Sequence, residues 1–241
     1  MRIISTVPSQ TELLSYLGLD DSLVGITKFC VHPDYIFRSK TRIGGTKNLD
    51  LNLIRSLKPD LILANKEENE KDQIQELAQD FKVNVTDVKD LDSALKMIRE
   101  VSAICGKSKE GNALIQLIES EFKTLVPLVE KKKVLYLIWR DPWMSVGHDT
   151  FIHDMLGRCG MVNVCADTSR YPELDLTQVE ADLVLLSSEP FPFNEKHIAE
   201  CQVHFPDAHI KLVDGAIFSW YGSRMKEAPR YLQGVIDAIR L

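Results

Sequence analysis

The chain runs through the same strand–helix plan twice, and that repetition constrains its fold more than any other feature. In the first half an apolar run at 2–7 precedes Pro8-Ser9-Gln10-Thr11-Glu12 and a helical pattern through Leu13, Leu14 and Leu17. Gly18 closes that helix, and a second apolar run follows at 23–26. In the second half an apolar run at 134–138 leads to Asp149-Thr150-Phe151 and a helical pattern through Ile152, Met155 and Leu156, closed by Gly160 before Val162-Asn163-Val164. Each half then carries Leu-Asp-Leu, at 49–51 and 174–176, ahead of a further strand at 60–63 and 182–185. Strands alternating with helices are the signature of parallel βα units. Two such passes predict an α/β protein of two lobes, each with a parallel sheet. The period is far too long for a solenoid.

Between the passes lies the most helical part of the chain. Leu95, Ile98, Val101 and Ile104 recur at helical spacing and Gly106 stops them. A second pattern from Lys107 to about Glu130 holds Leu114, Leu117, Ile118, Phe122 and Leu125, with Pro127 positioned to bend or end it. No Gly/Ser-rich linker separates the halves, so the expectation is two lobes joined by a long rigid helix. The boundaries read as an N-terminal lobe at 1–90, a helical connector at 91–132 and a C-terminal lobe at 133–241.

All three tryptophans fall in two segments that each follow a strand: Trp139-Arg140-Asp141-Pro142-Trp143 and Phe218-Ser219-Trp220-Tyr221-Gly222-Ser223-Arg224. In open α/β sheets ligands bind in the crevice beyond the carboxyl ends of the strands. Trp and Arg together supply flat faces, an N–H donor and a cationic fork, which suits a planar or anionic ligand. Trp139, Arg140, Trp143, Trp220, Tyr221 and Arg224 are therefore candidate ligand-binding residues. A single large aromatic would more simply cap a core. An arginine at either place has a second reading too, as the partner of a carboxylate such as Asp141 or Asp214. Arg170-Tyr171-Pro172-Glu173 adds a third arginine–aromatic pair, at the same mouth or in a solvated turn.

Composition narrows the function classes. A net charge of −6, with Lys131-Lys132-Lys133 as the longest basic run, argues against a nucleic-acid surface. No stretch approaches the ~18 apolar residues of a membrane span. Residues 1–7 read as a first strand and lack the charged, apolar and small-residue regions of a secretion signal. The sequence as it stands thus reads as cytoplasmic, or as periplasmic if a leader has been removed. Five cysteines without a CxxC pair suggest reduced, buried thiols. His148 and His153 are five apart, off the spacing of a helical zinc pair, so no protein-only metal site is expected.

Several motif fragments carry little. Gly106-Lys107-Ser108 lacks the upstream glycine of a phosphate-binding loop, because position 101 is Val. Gly44-Gly45-Thr46 is no dinucleotide fingerprint. No G-x-S-x-G surrounds Ser9. Pro8-Ser9 with Glu12 reads instead as a helix start in which Ser9 is the N-cap and Glu12 completes a capping box. The N–H groups of that helix end also suit an anionic ligand group. Phe29, after the second strand, either faces the crevice or packs on its own lobe.

The opening Arg2-Ile-Ile-Ser-Thr-Val-Pro-Ser-Gln-Thr-Glu12, the Asn48-Leu49…Lys58-Pro59-Asp60-Leu61 block and Ser219-Trp220-Tyr221 resemble the helical-backbone (class III) substrate-binding proteins of ABC importers. The nearest branch in appearance binds cobalamin or iron siderophores. The resemblance covers nearly the whole chain. It implies two lobes flanking a shallow cleft that holds a metal chelate or corrinoid, no covalent cofactor, and an ABC permease as partner. It implies ligand contacts from Pro8, Ser9, Phe29 and Trp220, the last matching the cleft tryptophan of the second lobe. Thr46 stands where that group has a cleft tryptophan. Asn52 stands at the position of the acid that docks the permease, with Asp50 close by.

The expectation is a non-enzymatic binding protein for a cobalamin-like corrinoid or an iron chelate. Its rival is a cytoplasmic chelatase or corrinoid-modifying enzyme on a similar fold, with His148 and Glu173 as the candidate base or metal ligand. A scaffold whose aromatic patch receives a partner protein is a third reading.

Overall fold

Among the described residues nine short strands, rich in Ile, Leu and Val, form two wholly parallel sheets. The computed structural model describes residues 1–240. In the first sheet β1 (Ile3–Ser5), β2 (Leu23–Ile26), β3 (Thr41–Arg42), β4 (Leu61–Asn65) and β5 (Val83–Thr86) run in the order β3-β2-β1-β4-β5. In the second, β6 (Lys132–Leu137), β7 (Met161–Asn163), β8 (Leu183–Ser187) and β9 (His209–Val213) run in the order β7-β6-β8-β9. Every pairing in both is parallel. The two-lobed α/β expectation holds.

The chain divides into two compact units. The first comprises Met1–Val88, Asp92–Leu117 and the short segment Tyr221–Arg224. The second comprises Lys89–Leu91, Ile118–Trp220 and the chain from Met225 onward. In both, the strand order reverses beside the first strand: between β1 and β4, and between β6 and β8. Such a reversal splays the connections above the strand ends and leaves a crevice there.

Helices cover the sheets because strands buried on both faces need cover on both. In the first unit α1 (Pro8–Tyr16), α2 (Asp34–Ser39), α3 (Leu51–Leu57) and α4 (Lys71–Leu77) alternate with the strands. Ile4, Ile62 and Ala64 pack on one side with Ile54, Ile74 and Leu77 of α3 and α4. In the second unit α7 (Phe151–Arg158), α8 (Glu195–His204), α9 (Gly215–Ser219) and α10 (Ala228–Ile239) do the same. Leu135 and Leu137 meet Val184, Leu186, Cys201 and Phe205, while Tyr136 points to the opposite face and packs on Phe218. Each fully buried Leu, Ile or Phe contributes about 1.5–3 kcal/mol, so these period-two runs supply most of the driving force.

The helical middle is two helices, α5 (Leu91–Ile104) and α6 (Ser108–Phe122). The expected pattern to about residue 130 stops at Phe122, and Leu125 and Pro127 lie beyond the helix. Gly106 breaks the run at φ +69°, a left-handed conformation that costs glycine little. Gly111 lets α6 approach α5, since a Cβ there would overlap Ser102. No helix among the described residues is long and apolar enough to cross a membrane.

The repeat shows in the capping as well. Asp50 accepts from the Leu53 amide at the start of α3, and its counterpart Asp175 accepts from the Thr177 amide. Thr150 caps α7 through the His153 amide. Ser9 departs from its expected role. Pro8 occupies the first turn of α1, whose fixed φ suits that place, so the N-cap falls on Val7 and no side chain caps the helix. The Ser9 hydroxyl is buried beside the Tyr221 phenol yet outside hydrogen-bond geometry.

Candidate functional site: the strand-end mouth of the second unit

Beyond β6 the chain turns through Trp139 to Met144, where an antiparallel bridge pairs those two residues and a second joins Met144 to Glu173. Beyond β8 it runs through Glu189, Pro190, Phe191 and Phe193 into α8. These two connections flank the β6–β8 reversal, and a cavity of about 320 Å³ lies there. Trp139, Met144, Ile152, Tyr171, Glu189 and Pro190 line it, mostly with apolar surface.

Its two tryptophans have different jobs. Trp139 is 39% exposed and borders the cavity, resting edge-on against Phe191 at 5.8 Å. Trp143 lies down on the core: its ring stacks on Phe193 at 6.2 Å and only 6° from parallel. Phe191, Phe193 and the buried His197 ring meet edge to face beneath them. His197 also closes the start of α8, accepting the Asn194 amide at its Nδ1. The aromatic terrace is thereby fixed to a helix end.

Among the described residues Glu189 is the one charged side chain lining this cavity. Its Oε1 accepts the Trp220 indole N–H and the Ser219 hydroxyl, each at 2.8 Å. Trp220 thus belongs to this mouth through its ring nitrogen.

The neighbouring arginines are matched to acids. Arg140 donates from Nε and Nη2 to Glu200, at 2.9 and 2.6 Å, also pairs with Asp141, and lies 5.7 Å over the Trp143 ring. Those hydrogen bonds hold the Glu200 carboxyl below its usual range. Arg170 pairs with Asp149 at 3.3 Å, and the Arg170 amide does most to hold that carboxyl low.

The rest of the expected set lies in the first unit. Arg224 donates to Glu12 at 3.0 Å, and the buried Tyr221 hydroxyl contacts Glu68 at 3.4 Å. Burial first, then Glu68, pushes the Tyr221 phenol well above its ordinary value. Pro8 and Ser9 begin α1. Phe29 is 50% exposed, with the Lys28 ammonium 5.1 Å over its ring. The Thr46 carbonyl accepts from Asn69, whose Oδ1 takes the Thr6 hydroxyl. Asn65, Thr86 and Gln10 continue that buried network. Trp220, Tyr221 and Arg224, neighbours in sequence, therefore take their hydrogen-bond partners in different units.

The residues of the enzyme reading have other contacts. The exposed His148 sets its Nδ1 2.6 Å from the Thr168 carbonyl, and the exposed Glu173 belongs to a backbone bridge. Asp50, near the position expected to dock a permease, caps α3. Among the described residues no three His, Cys, Asp or Glu side chains converge to hold a metal. Four of the five thiols are buried and none forms a disulfide; burial pushes the Cys159 thiol up to about 12.

A family model described as periplasmic binding protein matches residues 3–184. The chain belongs to that family. Among its relatives is an uncharacterised ABC transporter substrate-binding lipoprotein of Bacillus subtilis, 29% identical over 185 residues, a match covering 72% of this chain and 58% of that protein. The chain thus spans less than two thirds of that relative's length. The vitamin B12-binding protein of Vibrio cholerae is 24% identical over 204 residues, covering 81% of this chain and 71% of that one. A solved periplasmic vitamin B12-binding protein from Vibrio cholerae shares the fold with a TM-score of 0.80 at 20% identity, covering 99% of this chain and 97% of the other. A periplasmic heme-binding protein from Roseiflexus sp. RS-1 superposes with a TM-score of 0.81 at 20% identity, covering 99% and 97%. The resemblance to substrate-binding proteins of ABC importers therefore holds.

For this periplasmic binding protein, of the residues singled out in the sequence Trp139 and Tyr171 line the cavity and Trp220 bonds to its Glu189, whereas Glu189, Phe191 and Phe193 were not singled out. A signal was present, since Glu-Pro-Phe-Pro-Phe directly follows a strand at the reversal point.

Proposed function

We propose that this protein binds a planar metal chelate, a cobalamin-like corrinoid or an iron chelate, and hands it to an ABC permease without chemical change. The observation that carries this reading is the cavity at the β6–β8 reversal, with Trp139 and Tyr171 exposed at its rim. Flat, half-exposed aromatics beside a small apolar hollow suit the face and edge of a macrocycle. A volume of about 320 Å³ takes an edge or a substituent of such a ring, leaving the remainder outside this cavity. Relatives named as vitamin B12-binding and heme-binding proteins support the ligand class. The relative named as an ABC transporter lipoprotein supports the importer partner. That role requires the protein outside the membrane that the importer spans. Trp139, Tyr171 and Trp220 are the proposed ligand contacts, all at the mouth of the second unit. Arg140, Trp143 and Arg224 act by holding loops in place.

The test is titration of the purified chain with dicyanocobinamide, cyanocobalamin, hemin and a ferric siderophore, followed by tryptophan fluorescence and visible absorption. Saturable binding of one or more at micromolar concentration or tighter is expected. Binding of none overturns the reading.

A further inference from the structure

Charge at the mouth of the second unit is one-sided. Glu189 is the only charged side chain among the residues lining the cavity. Its Oε1 is held by two neutral donors, the Trp220 indole and the Ser219 hydroxyl, which fix the carboxylate without cancelling its charge. Among the described residues its Oε2 accepts no hydrogen bond. The cations on adjoining loops are already matched: Arg140 to Glu200 and Asp141, Arg170 to Asp149. If Glu189 served only to hold Trp220, the amide oxygen of a glutamine would do as well. The carboxylate adds a fixed negative charge and one open acceptor beside Ile138, Met144 and Ile152, where apolar neighbours weaken screening.

We propose that Glu189 determines specificity, accepting an N–H from an amide or cationic edge of the chelate and rejecting chelates that present a carboxylate there. The inference rests on the function proposed above. Its physical basis is asymmetric: an amide N–H gains a charge-assisted hydrogen bond, whereas a carboxylate meets a like charge while the arginines of the adjoining loops are held by their own acids. The ligand favoured is an amide-bearing corrinoid over a porphyrin with free propionates or a polycarboxylate iron chelate.

The experiment compares three probes on the whole chain: dicyanocobinamide, whose ring edge carries amides; cobyrinic acid in its dicyano form, the same ring with carboxylates in their place; and hemin. The expected result is that the parent binds cobinamide at least about tenfold tighter than cobyrinic acid or hemin, a difference easily resolved. Glu189→Gln keeps an acceptor for Trp220 and Ser219 and removes the charge, so it should cut that preference severalfold by improving binding of the carboxylate probes. Near-ultraviolet circular dichroism of the variant checks that Trp220 keeps its environment. Equal or tighter binding of hemin or cobyrinic acid by the parent overturns the inference and leaves the chelate-binding function standing. A preference unchanged in Glu189→Gln also overturns it. Binding of none of the three, together with no binding of a siderophore, removes both.

Discussion

The indole N–H of Trp220 donates to Glu189 at 2.8 Å, so the tryptophan that follows α9 is fixed by the acid that follows β8. Two strand-end loops of one sheet are tied at their tips, and the tie uses the polar edge of the ring, leaving its faces for packing. Trp220→Phe keeps the packing and deletes the donor. Hydrogen bonds to charged groups contribute about 1.5–3 kcal/mol, and Ser219 remains as a second donor, so the lower end of that range is expected. Urea unfolding followed by far-ultraviolet circular dichroism measures it. No loss of stability would show that the bond contributes nothing.

Ser9 and Asp50 make a paired test of helix capping. Asp50 accepts from the Leu53 amide, so Asp50→Ala should cost about 0.5–2 kcal/mol. The buried Ser9 hydroxyl finds no hydrogen-bond partner among the described residues, so Ser9→Ala removes a desolvated polar group and should be neutral or slightly stabilising. A capping box at Ser9 requires the opposite, a loss comparable to that of Asp50→Ala. Thermal unfolding of the two variants beside the parent separates the outcomes.

Much of the fold was legible because the buried strands are continuous apolar runs and the helix stops carry glycine. Gly18, Gly106 and Gly160 all have positive φ, as expected of residues just past helix ends. The capping of α1 differs from expectation because a proline in the first turn puts the N-cap at Val7, two residues earlier than serine preference alone suggests. The site was half legible. An exposed tryptophan and one packed against the core look alike in sequence, yet Trp139 borders the cavity beside Phe191 whereas Trp143 stacks on Phe193 under Arg140. Arg140 and Arg224 were expected either at a ligand or on an acid. Arg140 does pair with the adjacent Asp141, as one of those readings had it, but the further acids, Glu200 for Arg140 and Glu12 for Arg224, are 60 and 212 residues away, beyond the reach of local pattern. Glu189 was missed because a lone glutamate has no periodicity to mark it.

The Arg140–Glu200 pair gives an acid limb to stability. Glu200 sits below its ordinary value of 4.5 in the folded state, chiefly through hydrogen bonds from Arg140. A lowered folded pKa contributes stability that is fully present above the unfolded pKa and is lost as pH falls through the folded value. The stability gap between the parent and Glu200→Gln should therefore be constant near neutrality, shrink below about pH 4.5, and close under stronger acid. Chemical unfolding at a series of pH values reads it directly. A gap that widens toward acid pH would contradict the sign.

Trp139 and Trp143 provide the sharpest separation of binding from folding. Trp143 is partly buried and stacks on Phe193 against the core cluster of the second unit, so Trp143→Ala should cost about 2–3 kcal/mol, near the lower end for large-to-small core changes. Trp139 is 39% exposed at the cavity rim, and its truncation removes less buried area. Trp139→Ala should therefore lower stability by about 1 kcal/mol or less while weakening a bound chelate by the 2 kcal/mol or more typical of an aromatic anchor, about thirtyfold in Kd. Trp143→Ala, measured where it remains folded, should bind within a few-fold of the parent. Denaturation and ligand titration on the same preparations yield both quantities. If Trp139→Ala binds like the parent while Trp143→Ala does not, the ligand lies against the stacked tryptophan and the cavity rim at Trp139 is not its seat.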